Sequence, residues 1–242
     1  MEIQRATLSN CHQARGLVVV IDVIRAFSTA AYAFSCGVRE ILLASSLDQA
    51  FELRQRFPDY LIMGELSGLP VPGFDLSNSP RQLLLVNERT PLQGRGMIQR
   101  TSAGTQGIVR SQQAEVILAA SMLVAGATAS AIKKLAPSSL TFVITGTDAG
   151  NEYKGPTRES PTFGDEDAAC ADYIEELLNN HEPDPSAFIQ RILDSAPGRI
   201  FADPNRPEFP AVDLPLCTAV DRFNFALRVE HRDDLLVMTP ND

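Results

Sequence analysis

The sequence predicts a three-layer α/β/α fold, with helices covering both faces of a mostly parallel or mixed sheet. Three observations lead to it. Apolar runs of strand length recur, among them LVVVI at 17–21, YLIMG at 60–64 and SLTFVITGT at 139–147. Segments of helical composition, with capping residues, alternate with these runs. LVVVI is also β-branched and lacks polar alternation, which marks a strand buried on both faces. Strand–helix alternation of this kind is the pattern of α/β layering. No composition shift or flexible linker divides the chain, so residues 1–242 are expected to form one domain.

The elements are justified in order. After LVVVI, the Ala-rich stretch 26–36 suits a helix, and Gly37 stops it. REILLA (39–44) is the next strand. Ser46 and Gln49 have capping-box spacing and open a helix through about Arg56. YLIMG then delivers Glu65 at its end. Ser79-Pro80 reads as an N-cap followed by Pro at the first helical position, before RQLLLV. GMIQRT (96–101) is a strand leading into SAGTQG. AEVILAAS (114–121) is another, followed by a helix through Lys134. SLTFVITGT precedes a polar, Gly/Pro-rich loop over Asp148–Phe163. GDEDAACADYIEELLNN opens a helix whose acids lie in the first turn, where the helix dipole favours them. Helices over 185–195 and 215–222 and a final strand DLLVM complete the pattern.

Composition narrows the function classes. The net charge is −9, which argues against nucleic acid or an anionic membrane surface as partner. The longest apolar run, LVVVIDVI, is too short to span a bilayer and is broken by Asp22. The four cysteines are widely spaced and form no metal or redox motif, as expected of free thiols in a cytoplasmic protein. There is no P-loop, no G-x-S-x-G elbow, and His12, His181 and His231 all lie in polar contexts.

Open α/β sheets bind ligands beyond the carboxyl ends of their strands. The residues there are Asp22 and Arg25 after LVVVI, and Glu65 after YLIMG, with Asp75, Asn78 and Ser79 on the following stiff loop. Thr101, Ser102, Gly104 and Thr105 follow GMIQR. Gly146, Thr147 and Asp148 follow the 139 strand, and Asp165, Glu166 and Asp167 open the later helix. Hard oxygen ligands of this type suit Mg²⁺ together with a substrate phosphate. A Gly/Ser/Thr loop opening a helix suits phosphate, and an Arg can clamp the same anion. Each piece also has a bland reading: Asp22 as a helix cap, TSAGTQG as a tight turn, Asp75 as the holder of its own turn.

Taken together, VVVIDVIRAFSTA, GELSGLPVPGFDLSNSP, TSAGTQG and GDEDAACADYI resemble the 2-phosphosulfolactate phosphatase family over about residues 4–238. GFDL-x-NSP is the most specific element. The resemblance implies that family's own α/β/α fold and a Mg²⁺-dependent phosphatase acting on a small phosphorylated acid. It implies catalytic roles for Asp22, Arg25, Glu65 and Asp75, and substrate contacts from Asn78, Ser79, Thr101, Ser102, Gly104 and Thr105. It implies metal contacts from Asp22, Glu65, Glu166 and Asp167. A homodimer is compatible with it.

Three positions depart from the family's usual pattern. Leu66 stands where an Arg is common, Ala103 where Asn is common, and Val124 also where Asn is common. They motivate a second expectation, a non-catalytic binder of an anionic metabolite on the same scaffold. They equally suit an enzyme whose substrate differs from 2-phosphosulfolactate.

Overall fold

The computed structural model describes residues 1–146 and 164–241. The loop expected over Asp148–Phe163, with Thr147 and Asp148, lies outside the described residues. Among the described residues, ten strands form one sheet, β1 to β10 in chain order: Glu2–Thr7, Leu17–Ile21, Glu40–Leu43, Leu61–Gly64, Leu76–Ser77, Gly96–Arg100, Val116–Ala120, Ser139–Ile144, Ala226–Arg232 and Leu235–Asn241. Nine α-helices are present among the described residues. These are α1 Ala26–Ser35, α2 Leu47–Arg56, α3 Pro80–Arg89, α4 Gly104–Arg110, α5 Ala125–Leu135, α6 Asp165–Leu178, α7 Ser186–Asp194, α8 Ala196–Ala202 and α9 Asp213–Cys217. None is long and apolar enough to cross a membrane.

The strand order is β1-β8-β2-β7-β9-β10-β3-β6-β4-β5. β1, β8, β2 and β7 run parallel, as do β3, β6, β4 and β5. Between these halves sits the antiparallel hairpin β9–β10, antiparallel also to β7 and to β3. Three reversals therefore oppose the two halves. Twist compensates: six strand-to-strand steps separate β2 from β4, and about 20–25° per step accumulates roughly 120–150°. The carboxyl ends of the two halves thus meet, as shown by the Gln99 side chain of β6 donating to Ala26 O at 3.0 Å.

The curl encloses a core on its concave side. Val18 and Val20 of β2, Ile41 and Leu43 of β3 and Met97 of β6 pack there with α1. Nine of ten α1 residues are buried. Phe27 has no exposed surface, and burying such a side chain contributes about 1.5–3 kcal/mol. The alternate residues Leu17, Val19 and Ile21 face the opposite way, onto α5 and α6. On the other half, Leu42, Ile62 and Ile98 face α2. Both faces of LVVVI are therefore covered, the physical reason for its unbroken apolar character.

Several elements depart from the sequence reading. β1 was not expected because EIQRAT alternates weakly; it is an edge strand held by β8. β9 (ALRVEHR) is half polar yet lies centrally, its outer end exposed. α8 contains Pro197 in its first turn, which is compatible with a helix start. The helix expected over 215–222 is instead the short α9. Ser46 does cap α2 through Gln49 N at 3.1 Å, but Gln49 Oε1 returns to Ser45 N rather than to Ser46. Ser79 caps α3 by accepting from Gln82 N at 3.2 Å.

Candidate active site

Where the carboxyl ends of β2, β4, β6 and β8 converge, a cavity of about 90 Å³ opens. Asp22, Glu65, Glu166 and Asp167 line it, with Arg25, Asn78 and Ser102. All seven are buried. Four acids crowded out of water repel one another, so each needs a local reason to be there.

Three of them are held by backbone donors. Asp167 Oδ1 accepts from Val23 N at 2.8 Å, and its Oδ2 accepts from Gly146 N at 2.9 Å and Thr145 Oγ1 at 3.1 Å. It ties the ends of β2 and β8 together. Glu65 accepts from Ser102 N, Gly68 N and the Ser102 hydroxyl. Asp22 caps α1 by accepting from Ala26 N at 2.9 Å, and the Gly104 N–H also reaches it. A Cβ on Gly104 would stand 2.8 Å from Asp22 Oδ2, so only glycine permits this approach. Glu166 differs: its Oε2 is buried and has no hydrogen-bond partner among the described residues.

The proton affinities follow from this crowding. Burial pushes Asp22 up to about 6, with Glu65 adding to the rise. Burial pushes Asp167 up to about 8, with Asp22 adding. Burial raises Glu166 well above the ordinary carboxylate range, with Asp167 and Asp22 adding.

The TSAGT segment is arranged differently from the expectation that it would present open N–H groups to phosphate. Its Ser102 N–H is taken by Glu65, its Gly104 N–H by Asp22, and its Thr105 N–H by Thr101 Oγ1 at 3.0 Å. Thr101 N in turn donates to Thr105 Oγ1 at 2.8 Å. The loop holds the protein's own acids, and the two threonines close the turn. Ser79 is likewise occupied: it caps α3, and its hydroxyl donates to Asp213 at 2.9 Å.

Asp75 is placed away from the cavity. Its carboxylate pairs with Arg54 and accepts from Ile62 N at 2.8 Å, while Asp75 N donates to Ile62 O at 3.0 Å. Side chain and backbone together pin the stiff loop back onto β4. Asp165 pairs with Arg191 on α7. Of the three departing positions, Ala103 lines the cavity and Val124 is fully buried in the core. Leu66 is partly exposed and bonds Leu69 in both directions.

Sequence reasoning missed Asp213, Phe201, Phe209 and Arg100. Arg25 Nη1 donates to Asp213 Oδ2 at 2.8 Å, and its guanidinium lies 4.6 Å from the Phe201 ring centre. Arg100 Nη1 donates to Glu65 O at 3.0 Å. Arg100 ends β6, so the strand-end criterion applied consistently would have found it. Asp213, Phe201 and Phe209 follow no strand, and no local signal marks them.

Among the described residues, no three Asp, Glu, His or Cys side chains already converge as a ligand set. The reason is visible: Glu65 and Asp167 spend their oxygens on N–H and O–H donors. Mg²⁺ typically needs only one or two carboxylates beside water and substrate phosphate. The orphaned Glu166 oxygen, next to Asp22, fits such an ion.

The family model described as 2-phosphosulpholactate phosphatase matches residues 3–197. A Bacillus subtilis protein named probable 2-phosphosulfolactate phosphatase is 33% identical over 213 residues, 88% of this chain and 86% of the relative. Proteins of the same name are 32% identical in Thermus thermophilus, over 78% of this chain and 72% of the relative, and 35% identical in Carboxydothermus hydrogenoformans, over 66% and 60%.

Proposed function

This chain belongs to the 2-phosphosulpholactate phosphatase family, and from that premise we propose that it is a divalent-metal-dependent phosphatase. Its substrate is a small phosphorylated acid, 2-phosphosulfolactate or a related phosphorylated hydroxy acid. The observation that carries this reading is the buried Glu166 oxygen without a partner, in a cavity that also receives Asp22 and Arg25.

Asp22 and Glu166 would hold the cation, Mg²⁺ by the hardness of the ligands. When bound, that ion neutralises charge on the phosphoryl oxygens. Arg25 adds a fixed guanidinium to the same charge. Glu65 and Asp167 keep the strand ends and the TSAGT loop in place around the acids. In the hydrolysis, the water oxygen bonds to phosphorus as the bond to the alcohol oxygen breaks. The proton given up by water passes to a carboxylate of this cluster, whose raised proton affinity suits a base near neutral pH.

The direct test is phosphate release from a panel of phosphorylated hydroxy acids, 2-phosphosulfolactate included, with Mg²⁺ and with EDTA. Metal-dependent release is expected. Binding of inorganic phosphate without any turnover would instead support a non-catalytic binding protein.

The acid cluster also predicts a pH effect. In the metal-free protein the raised carboxyls keep protons that the unfolded chain, with ordinary values near 4, has released. The folded state therefore binds more protons between about pH 4 and 8, and stability falls as pH rises through that window. The slope is about 1.4 kcal/mol per pH unit for each extra proton held. A bound cation displaces those protons, so Mg²⁺ should raise the melting temperature more at pH 8 than at pH 6. Identical EDTA melting temperatures at the two pH values would contradict this.

Asp75→Ala separates loop support from chemistry. It strands the Ile62 N–H, at a cost of about 1–3 kcal/mol in a urea melt. The metal-dependent rate should stay within about twofold of wild type, since surface-side anchors contribute little to barrier lowering.

A further inference from the structure

The Arg25–Asp213 pair is placed where it does little for stability. Both side chains are almost wholly buried, 4% and 1% exposed. A buried ion pair returns little net stability over an apolar pair of the same volume, because both charges lose their water. What it supplies is direction. Arg25 is fixed by four segments at once: α9 through Asp213, α8 through the Phe201 ring, the loop after β4 through Gly68 O at 3.2 Å, and its own position before α1. Asp213 is itself fixed, its other oxygen accepting from Ser79 Oγ at 2.9 Å and Arg81 N at 3.1 Å. Asp213 is not part of the cavity wall; Arg25 is. The carboxylate stands behind the guanidinium, and the first turn of α3 stands behind the carboxylate. Residues 198–242, which contribute Phe201 and Asp213, lie beyond the stretch matched by the family model.

We propose that Asp213 is a positioning residue that holds the Arg25 guanidinium at a fixed angle to the transferring phosphoryl group. Among the described residues, two of the five guanidinium N–H groups are engaged, by Asp213 and Gly68. Arg25 also lines the cavity, and in this proposal its remaining N–H groups meet phosphoryl oxygens in one geometry. Ser79 belongs to the same chain of support: it aligns Asp213 and contacts no substrate. The inference rests on the phosphatase reading, in that Arg25 meets the phosphoryl group.

The test is a double-mutant cycle with Asp213→Asn and Arg25→Ala, with Ser79→Ala alongside. Misplacing a charge-stabilising group by about 1 Å costs on the order of 100-fold. Asp213→Asn is therefore expected to lower kcat about 100-fold and to raise KM by up to about tenfold, with the Mg²⁺ dissociation constant little changed. In the Arg25→Ala background the same substitution should change kcat by less than about twofold, because the residue it acts through is gone. Ser79→Ala should lower kcat by about threefold to tenfold, a fraction of that misplacement. A folded Asp213→Asn enzyme with wild-type kcat would overturn the proposal. So would a loss that multiplies in full on Arg25→Ala. If Asp213→Asn does not fold, Ser79→Ala decides, and an unchanged kcat there counts against the proposal.

Inorganic phosphate binding, measured by calorimetry on the same variants, makes the comparison without turnover. About tenfold weaker binding in Asp213→Asn is expected from a displaced charge-assisted donor, and unchanged binding overturns the proposal. A wild type that binds phosphate but hydrolyses nothing would sink the phosphatase reading and leave the positioning role standing.

Discussion

Glu166→Gln is expected to lower metal-dependent phosphate release by two to four orders of magnitude, the usual contribution of a proton-transferring or charge-bearing group at a reacting centre. The same substitution should make the metal-free protein more stable at pH 8. Both halves follow from one arrangement. Glu166 is buried, its Oε2 has no partner among the described residues, and Asp167 and Asp22 crowd it. Ionising it there is unfavourable, so the folded protein above its ordinary pKa carries a penalty that a neutral amide removes. The gain, reduced by the amide's own desolvation, should shrink as pH falls to about 4, where the unfolded chain's carboxyl also takes up its proton. The check is kcat at saturating Mg²⁺ together with urea unfolding in EDTA at both pH values. A variant that loses stability along with activity would mean that Glu166 is a packing residue.

The second large effect concerns a residue with no side chain. Gly64 ends β4 at φ +150°, and a Cβ built on it would stand 1.9 Å from Arg100 O on the paired strand β6. The obstacle is backbone, so no rotamer relieves it. Gly64→Ala is expected to cost roughly 3–5 kcal/mol, combining an unfavourable backbone region with overpacking. The damage should be local as well as global. Glu65 N donates to Arg100 O at 3.0 Å, and Arg100 Nη1 donates to Glu65 O. Separating these strands moves Glu65 off Ser102 and loosens the wall of the cavity. Thermal unfolding and the residual rate of the folded fraction measure the two parts. A melting temperature unchanged from wild type would show that the strands can part without consequence.

How much of this was legible in the sequence varies by element. LVVVI announced a strand covered on both faces, because a continuous β-branched run has no other comfortable place. Ser79-Pro80 announced a helix start for the same local reason. Asp22, Glu65 and Glu166 were found by a positional rule, strand end or helix start, and they share one cavity. Local pattern fails where a residue's role depends on what folds against it. TSAGT has the composition of an anion cradle, yet its N–H groups are taken by Glu65 and Asp22, which come from distant parts of the chain. Asp75 reads as a site acid because it lies on the stiff loop after Glu65, but its carboxylate turns back to Ile62 and Arg54. Asp213 sits in a Pro-rich tail, and only tertiary structure brings it behind Arg25. β9 reads as half polar because its outer end faces solvent, although its first residues are central to the sheet.

The position of the β9–β10 hairpin has a consequence for how the molecule is made. The strands that join the two parallel halves follow both halves in chain order, pairing with β7 on one side and β3 on the other. Until they arrive, β3 and β7 each present an open edge, and open edges recruit neighbouring chains. Contacts spanning most of the chain also close late and slowly. The nascent chain is therefore most exposed to self-association while both halves are made and the hairpin of residues 226–241 is not yet paired. Deleting residues 226–241 would prolong that vulnerable stage, even though it removes none of the cavity's acids.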